Sequence, residues 1–169
     1  MERYQVRVAD DSLVFSAGHF ITVECGTCEA LHGHDYRVTA EVGGPLDENY
    51  YVLDFLLLRR ELRAILDDLD HRVLLPTGHP LIRVVSTERE VTATFADRRW
   101  VFPRSDCRLL PVPNTTTELM AQLIGKYLIH RLEAKTGSRP PLVRIELSEG
   151  YGQSAVCELR TDLPDSSDG

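Results

Sequence analysis

Two stretches of the chain repeat apolar residues with the spacing of an amphipathic helix. The first begins at Phe55, and Asp54 stands at its N-cap position, where a carboxylate accepts a hydrogen bond from a free backbone N–H. The second runs from about Thr116 to Lys135, and Gly137 follows as a terminator. The apolar positions are Leu58, Leu62, Ile65, Leu66 and Leu69 in the first stretch, and Met120, Ile124, Tyr127, Leu128 and Leu132 in the second. The pattern therefore predicts two helices that each bury one face.

Alternating apolar and polar residues predict strands in much of the remaining chain. The predicted strands are 1–6, 36–42, 143–147 and 155–159, together with a hairpin of 90–95 and 100–102 around a turn at 96–99. This order of elements predicts an α+β fold in which two helices pack on one face of an antiparallel sheet. The sequence has no glycine-rich phosphate loop, so we do not expect a doubly wound parallel sheet.

Composition and charge exclude several classes of protein. The chain has 169 residues, 43% of them apolar, which supports a single domain at 1–163 followed by a disordered tail at 164–169. The net charge of −7 argues against binding to nucleic acid or to an anionic membrane, and no apolar run is long enough to span a bilayer. Four cysteines are too few for a disulfide scaffold, which favours reduced thiols and a cytoplasmic location.

A His-Gly-His triplet at positions 32–34 is the most informative chemical pattern. Residues i and i+2 of a strand point to the same face, so His32 and His34 are expected to project side by side. Two neutral imidazoles in this arrangement bind a divalent ion, most often zinc, and His19 is the candidate third ligand. Three protein ligands would leave a fourth position for water or substrate, as in catalytic zinc sites. The alternative is an incidental pair of histidines on the surface.

A Cys-x-x-Cys pair, Cys25 and Cys28, precedes this triplet and has three interpretations. A redox pair would require a thioredoxin-like βαβ context, which the pattern does not predict. The two cysteines could instead complete a closed structural zinc site with His32 and His34. In the third interpretation, a nearby metal lowers the pKa of one thiol, which then acts as a base. The last two interpretations stay open.

Three further segments carry polar groups that suit a binding site. Asp70 and His71 form a pair in which the carboxylate fixes the tautomer of the imidazole, although a histidine stabilised by the end of a helix is the simpler explanation. Glu149 continues the apolar face of a predicted strand, where its carboxylate suits a ligand with two adjacent N–H donors, unless the strand ends before it. Thr115 and Glu118 fit a capping box at the start of the second helix.

Taken together and in this order, these segments resemble the 6-pyruvoyl-tetrahydropterin synthase and 6-carboxytetrahydropterin synthase family. The matching segments are 15–19, 28–36, 52–55, 69–71, 114–119 and 145–149. The resemblance implies a tunnelling fold, a ring-like oligomer that is typically a hexamer, and sites built between subunits. It also implies 7,8-dihydroneopterin triphosphate as the substrate and Zn²⁺ as the cofactor.

The same resemblance assigns roles to individual residues. The implied zinc ligands are His19, His32 and His34, the thiol is Cys28, the proton relay is Asp70 with His71, the pterin anchor is Glu149, and Thr116 and Glu118 belong to a second pterin-contacting motif. Cys28 lies four residues before His32, as the thiol does in the carboxy-forming branch. Glu29 departs from the family pattern, which has a basic residue beside the thiol.

The preferred interpretation is therefore a zinc-dependent lyase that forms 6-carboxy-5,6,7,8-tetrahydropterin and releases acetaldehyde and triphosphate. Three alternatives remain: a 6-pyruvoyl-tetrahydropterin synthase that eliminates triphosphate, a related enzyme of another pterin pathway, and a non-enzymatic module stabilised by zinc.

Overall fold

The computed structural model describes residues 2–161, and the predicted tail at 164–169 lies outside them. The strands are β1 (Tyr4–Val8), β2 (Val14–His19), β3 (Thr22–Val23), β4 (Thr27–Cys28), β5 (His32–Gly44), β6 (Arg72–Pro76), β7 (Arg83–Ser86), β8 (Glu90–Phe95), β9 (Arg98–Pro103), β10 (Cys107–Leu110), β11 (Leu142–Gly150) and β12 (Gln153–Arg160), and the helices are α1 (Phe55–Leu69) and α2 (Thr117–Thr136). The predicted turn at 96–99 was too long. Because β9 already begins at Arg98, the turn between β8 and β9 contains only Ala96 and Asp97.

Both helices begin and end close to the predicted positions. The Asp54 side chain accepts a hydrogen bond from the Leu56 N–H at the start of α1. Gly137 ends α2 with a φ of 72°, a left-handed conformation that glycine adopts without steric cost. Among the described residues, neither helix combines the length and hydropathy that a bilayer-crossing segment needs.

One sheet of seven strands organises the chain, with β10, β6, β2, β5, β11 and β12 in that order and β1 added beside β5. The long strand β5 pairs antiparallel with β2 through its first half, with β1 through its second half, and with β11 along its other edge. Among residues 2–161, only β10–β6 and β6–β2 are parallel pairs, and they lie towards one edge of the sheet. The predicted α+β class with a mainly antiparallel sheet is confirmed.

Two apolar cores stabilise this arrangement. The main core lies between the sheet and the two helices, and its buried side chains include Phe15, Tyr36, Leu62, Ile124 and Ile145. A second core lies under the three-stranded sheet β7–β8–β9 and is formed by Phe20, Leu75, Ile82, Val91, Ala93 and Cys107, with partly buried neighbours that include Cys28 and Trp100. The second core therefore joins the end of β2 to the segment before β5.

Candidate functional site

The three predicted metal ligands come together at the end of the strand pair β2–β5. His19 lies directly opposite His32 in the antiparallel ladder, and Ala17 lies opposite His34, so the three imidazoles share one face. Their ring centroids are 4.8 to 5.2 Å apart, and one nitrogen of each ring lies within 4.8 Å of the others. We call these three residues the histidine cluster. Their spacing fits three ligands of one metal ion.

Backbone carbonyls orient two of these imidazoles. His19 donates its Nδ1–H to the Thr115 carbonyl at 3.0 Å, and His32 donates its Nδ1–H to the Ala30 carbonyl at 2.8 Å. The Nε2 lone pairs are therefore available to a metal ion, which is the usual arrangement around protein zinc ligands. Burial lowers the pKa of His19 to about 4, so this ring is neutral near pH 7. The donor set thus fits zinc in geometry, and the neutral form of His19 suits metal binding.

Carboxylates and hydroxyls surround the histidine cluster in a cavity of about 440 Å³. This histidine cavity is lined by His19, Ile21, Glu29, His32, His34, Thr116, Thr117, Glu118 and Glu149. Glu149 Oε2 lies 3.9 Å from His34 Nε2 and accepts a 2.7 Å hydrogen bond from the Thr117 hydroxyl. Strand β11 continues through Glu149, so this carboxylate does not lie in a turn. The structure therefore brings Thr116, Glu118 and Glu149 to the same cavity as the histidines.

The predicted capping box of Thr115 and Glu118 was wrong by one residue. Thr116 is the N-cap of α2, and its hydroxyl accepts a hydrogen bond from the Leu119 N–H. Thr115 is fully buried, and its hydroxyl donates to the Phe20 carbonyl while its own carbonyl binds His19. Because Thr115 makes these two contacts with the end of β2, the next residue, Thr116, serves as the N-cap of α2. Glu118 then lies at the histidine cavity.

Cys28 and Glu29 occupy different surroundings, although they are neighbours in the chain. Cys28 packs against the second core and does not line the histidine cavity, and burial raises the pKa of its thiol. Glu29 lines that cavity, with Oε2 at 3.8 Å from His32 Nε2. Sequence reasoning recorded Glu29 only as a departure from the family pattern. The sequence did contain a signal for this position, because the Glu29 carboxylate is adjacent to the Cys28 thiol and lies three residues before His32.

The Asp70–His71 pair forms as predicted, but it lies away from the histidine cavity of the same chain. His71 Nδ1 is 3.0 Å from Asp70 Oδ2, and Asp70 Oδ1 accepts a 2.8 Å hydrogen bond from the Ser16 N–H. That bond, first among several causes, lowers the pKa of Asp70. The His71 side chain is 82% exposed and lines a cavity of about 480 Å³ against Gly18 and Gly33, on the opposite face of β2–β5.

Sequence reasoning also missed Tyr36. Its hydroxyl lies 3.3 Å from His19 Nε2, and the side chain is fully buried. Burial, with a smaller contribution from the Glu149 carboxylate, raises the pKa of Tyr36 far above its ordinary value. The signal was present in the alternation of β5, because Tyr36 follows His34 by two residues and so shares its face.

Comparison with known proteins identifies the family. Residues 11–160 match the family described as 6-pyruvoyl tetrahydropterin synthase. The chain belongs to this family. A Methanocaldococcus jannaschii relative, provisionally named 6-carboxy-5,6,7,8-tetrahydropterin synthase, is 28% identical over 144 residues, which cover 85% of this chain and 88% of that protein. The family inferred from the sequence motifs is therefore confirmed.

Solved structures of the family confirm the predicted tunnelling fold. The 6-pyruvoyl tetrahydropterin synthase of Plasmodium falciparum has a TM-score of 0.84 at 28% identity, and the match covers 94% of this chain and 98% of that one. A variant of the Plasmodium vivax enzyme has a TM-score of 0.84 at 25% identity, and the match covers 95% and 99%. In that variant alanine replaces a glutamate described as a catalytic residue.

Proposed function

We propose that the protein is a zinc-dependent lyase that acts on 7,8-dihydroneopterin triphosphate. The reaction would consume one water molecule, and the proposed products are 6-carboxy-5,6,7,8-tetrahydropterin, acetaldehyde and triphosphate. The observation that carries this proposal is the convergence of His19, His32 and His34 with Glu149 in one cavity. The name of the archaeal relative and the spacing of four residues between Cys28 and His32 support the carboxy-forming branch.

The histidine cavity offers separate groups for the metal and for the pterin. Zinc held by Nε2 of His19 and His32 and by a ring nitrogen of His34 would polarise the oxygens of the substrate side chain and so acidify the neighbouring C–H bond. Glu149 would accept hydrogen bonds from two adjacent N–H groups of the pterin ring. Thr117 already donates to Glu149 Oε2, so this carboxylate is oriented before a ligand arrives. Thr116 and Glu118 extend the polar wall of the same cavity at the start of α2.

We propose two proton-transfer groups in the segment that leads into the histidine triplet. Cys28 is the thiol expected from the family pattern, and Glu29 is the carboxylate that faces the histidine cluster at 3.8 Å. The catalytic glutamate described for the Plasmodium vivax enzyme supports a carboxylate in such a role. Positioned acid–base groups remove a proton from carbon and return one to the product, which both branches of the family chemistry require.

We propose that Asp70 and His71 act in the site of a second copy of the chain, within a ring-like oligomer such as a hexamer. Within one chain the pair lies on the opposite face of β2–β5 from the histidine cluster. The His71 imidazole is mostly exposed while Asp70 and Ser16 hold the segment in place. A fixed but exposed imidazole suits a proton relay that another subunit uses.

The proposed function is tested by product analysis. Zinc-loaded protein is mixed with 7,8-dihydroneopterin triphosphate, and the products are identified by mass spectrometry. We expect 6-carboxy-5,6,7,8-tetrahydropterin together with acetaldehyde. A 6-pyruvoyl product would assign the chain to the other branch, and a different shortened side chain would indicate a related pterin enzyme. Absence of turnover, combined with loss of zinc in Cys25→Ser, would favour the non-enzymatic module.

A second arm of this experiment separates the two proton-transfer groups. Cys28→Ala and Glu29→Gln are each expected to lower the turnover number by roughly 10²- to 10⁴-fold, because each removes one acid–base group. Zinc content and folding should not change, and Glu24→Gln is the matched control because Glu24 is an exposed carboxylate in the same loop. Wild-type turnover in either variant would remove that residue from the mechanism.

A further inference from the structure

Arg98 reaches from the β8–β9 hairpin to the segment that carries Cys28 and Glu29. It pairs with Phe95 across the tight turn, at the first position of β9. Its Nη1–H donates a 2.7 Å hydrogen bond to the Cys28 carbonyl oxygen, 70 residues away in sequence. A bond from a charged donor is stronger than one between neutral groups, so this contact fixes the main chain between β4 and β5.

An aromatic stack holds the Arg98 guanidinium in place. Its central carbon lies 4.5 Å from the centre of the Trp100 ring, and Trp100 stacks on Phe20 with centroids 4.3 Å apart and an angle of 16°. Phe20 is fully buried and directly follows His19. One continuous stack therefore connects the strand of a candidate metal ligand with the anchor of the Cys28 carbonyl.

Main-chain hydrogen bonds hold the other edge of this segment. Thr22 pairs with Cys28 in the small β3–β4 ladder, and the Glu29 N–H donates to the Ile21 carbonyl at 2.9 Å. The side chain of Arg98 holds the opposite side, at the Cys28 carbonyl. Removing the guanidinium would leave the main chain at 28–29 hydrogen-bonded along one edge only, with the Cys28 side chain still packed against the second core, and Glu29 would gain freedom relative to the histidine cluster.

We propose that Arg98 is a positioning residue that fixes the main chain at Cys28 and thereby sets the placement of the adjacent Glu29 carboxylate beside the histidine cluster. This inference rests on the proposed function for its effect on turnover, whereas the anchoring itself does not depend on the substrate. The charge of Arg98 has a second effect, because it acts against the burial that raises the pKa of the Cys28 thiol. Small displacements of reacting groups lower turnover strongly without a comparable loss of substrate affinity.

The test compares Arg98→Met with Arg99→Met. Arg99 is the next residue of β9 and is exposed, so its replacement is a matched loss of charge without the anchor. Hydrogen–deuterium exchange at the Glu29 amide, measured without substrate, should accelerate at least tenfold in Arg98→Met and stay unchanged in Arg99→Met. In the pterin assay, Arg98→Met should lower kcat by roughly 10- to 100-fold with KM within about threefold, and Arg98→Lys should recover part of the loss.

Wild-type exchange and wild-type kcat in Arg98→Met would overturn the proposal. If Arg98→Met fails to fold, Arg98→Gln decides, because it removes the charged donor and keeps a polar side chain. Exchange and kcat at wild-type level in that variant would also overturn the proposal. If the wild-type protein does not convert the pterin, the proposed function fails. Faster amide exchange in Arg98→Met but not in Arg99→Met would then still support the hydrogen bond from Arg98 as an anchor of the segment. Failure of the proposed function and failure of the positioning role are therefore distinguishable.

Discussion

The strand pair β2–β5 has two faces, and they differ in how far the functional side chains are buried and hydrogen-bonded within one chain. On the helix-covered face, His19 and His32 already donate to carbonyls of the same chain, and Tyr36 is buried beneath them. On the opposite face, small residues leave a shallow cavity beside an exposed His71. The comparison supports the proposal that one chain supplies all three metal ligands, whereas the relay pair would serve the site of a neighbouring chain.

Substitution of a histidine on the helix-covered face should have the largest effect, on both zinc affinity and product formation. His19→Ala removes one of three ligands, and we expect zinc affinity to fall by more than about 100-fold, because loss of a supporting group alone costs 10- to 100-fold. Product formation should be lost with the metal. Elemental analysis and a competition titration measure the change, and His130→Ala on the exposed face of α2 is the control. Unchanged zinc affinity in His19→Ala would contradict the three-histidine site and favour the site that includes Cys25.

Substitution of His71 on the opposite face should leave zinc binding unchanged and lower the turnover number. His71→Ala is expected to bind zinc normally and to lose roughly 10²- to 10⁴-fold in turnover, since a proton-transfer group is removed. If the relay acts between subunits, co-expression of His71→Ala with His19→Ala should restore part of the activity. Mixed oligomers contain sites that take the metal from one variant and the relay from the other.

Different affinity tags on the two variants allow mixed oligomers to be isolated before the assay. Mixed oligomers that remain inactive would argue against a relay shared between chains. Recovery of activity from oligomers of His71→Ala alone would show that the imidazole is dispensable.

The smallest expected effect concerns acid stability of the opposite face. The pKa of Asp70 lies below its ordinary 3.8 in the folded chain, so its stabilisation is fully present above the unfolded value and is lost as the pH falls through the folded one. Asp70→Asn should therefore lower the free energy of unfolding by up to about 1 kcal/mol near pH 6. The difference between the variants should shrink towards pH 2.5. Urea titrations at both pH values measure it, and an equal difference at both would refute the ionic contribution.

Local sequence signals predicted the parts of the fold that depend on local structure. Asp54 and Gly137 marked helix ends because capping is a property of a few adjacent residues. The His-Gly-His triplet predicted a shared face because the strand period is fixed. The short strands β6, β7 and β10 were missed, since a run of four or five residues carries too little alternation to identify a strand.

The positions of side chains relative to distant parts of the chain were harder to predict from the sequence. Cys28 and Glu29 are adjacent in an extended segment, so their side chains diverge, and the sequence does not show which one faces the histidines. Asp70 and His71 lie beside β2 on the far side of the sheet because β6 adds there in parallel, a pairing that only the complete topology shows. Zinc itself stays a prediction, as do the substrate and the oligomer.

The group that orients His19 is the main-chain carbonyl of Thr115, directly before Thr116 at the start of α2. This choice of a main-chain group has an evolutionary consequence. Main-chain atoms are the same in every amino acid, so side-chain replacements at 116–118 can alter which ligand is preferred and leave that imidazole aligned. Replacements at these three positions could thus change the substrate of this scaffold while the His19 ring keeps its orientation.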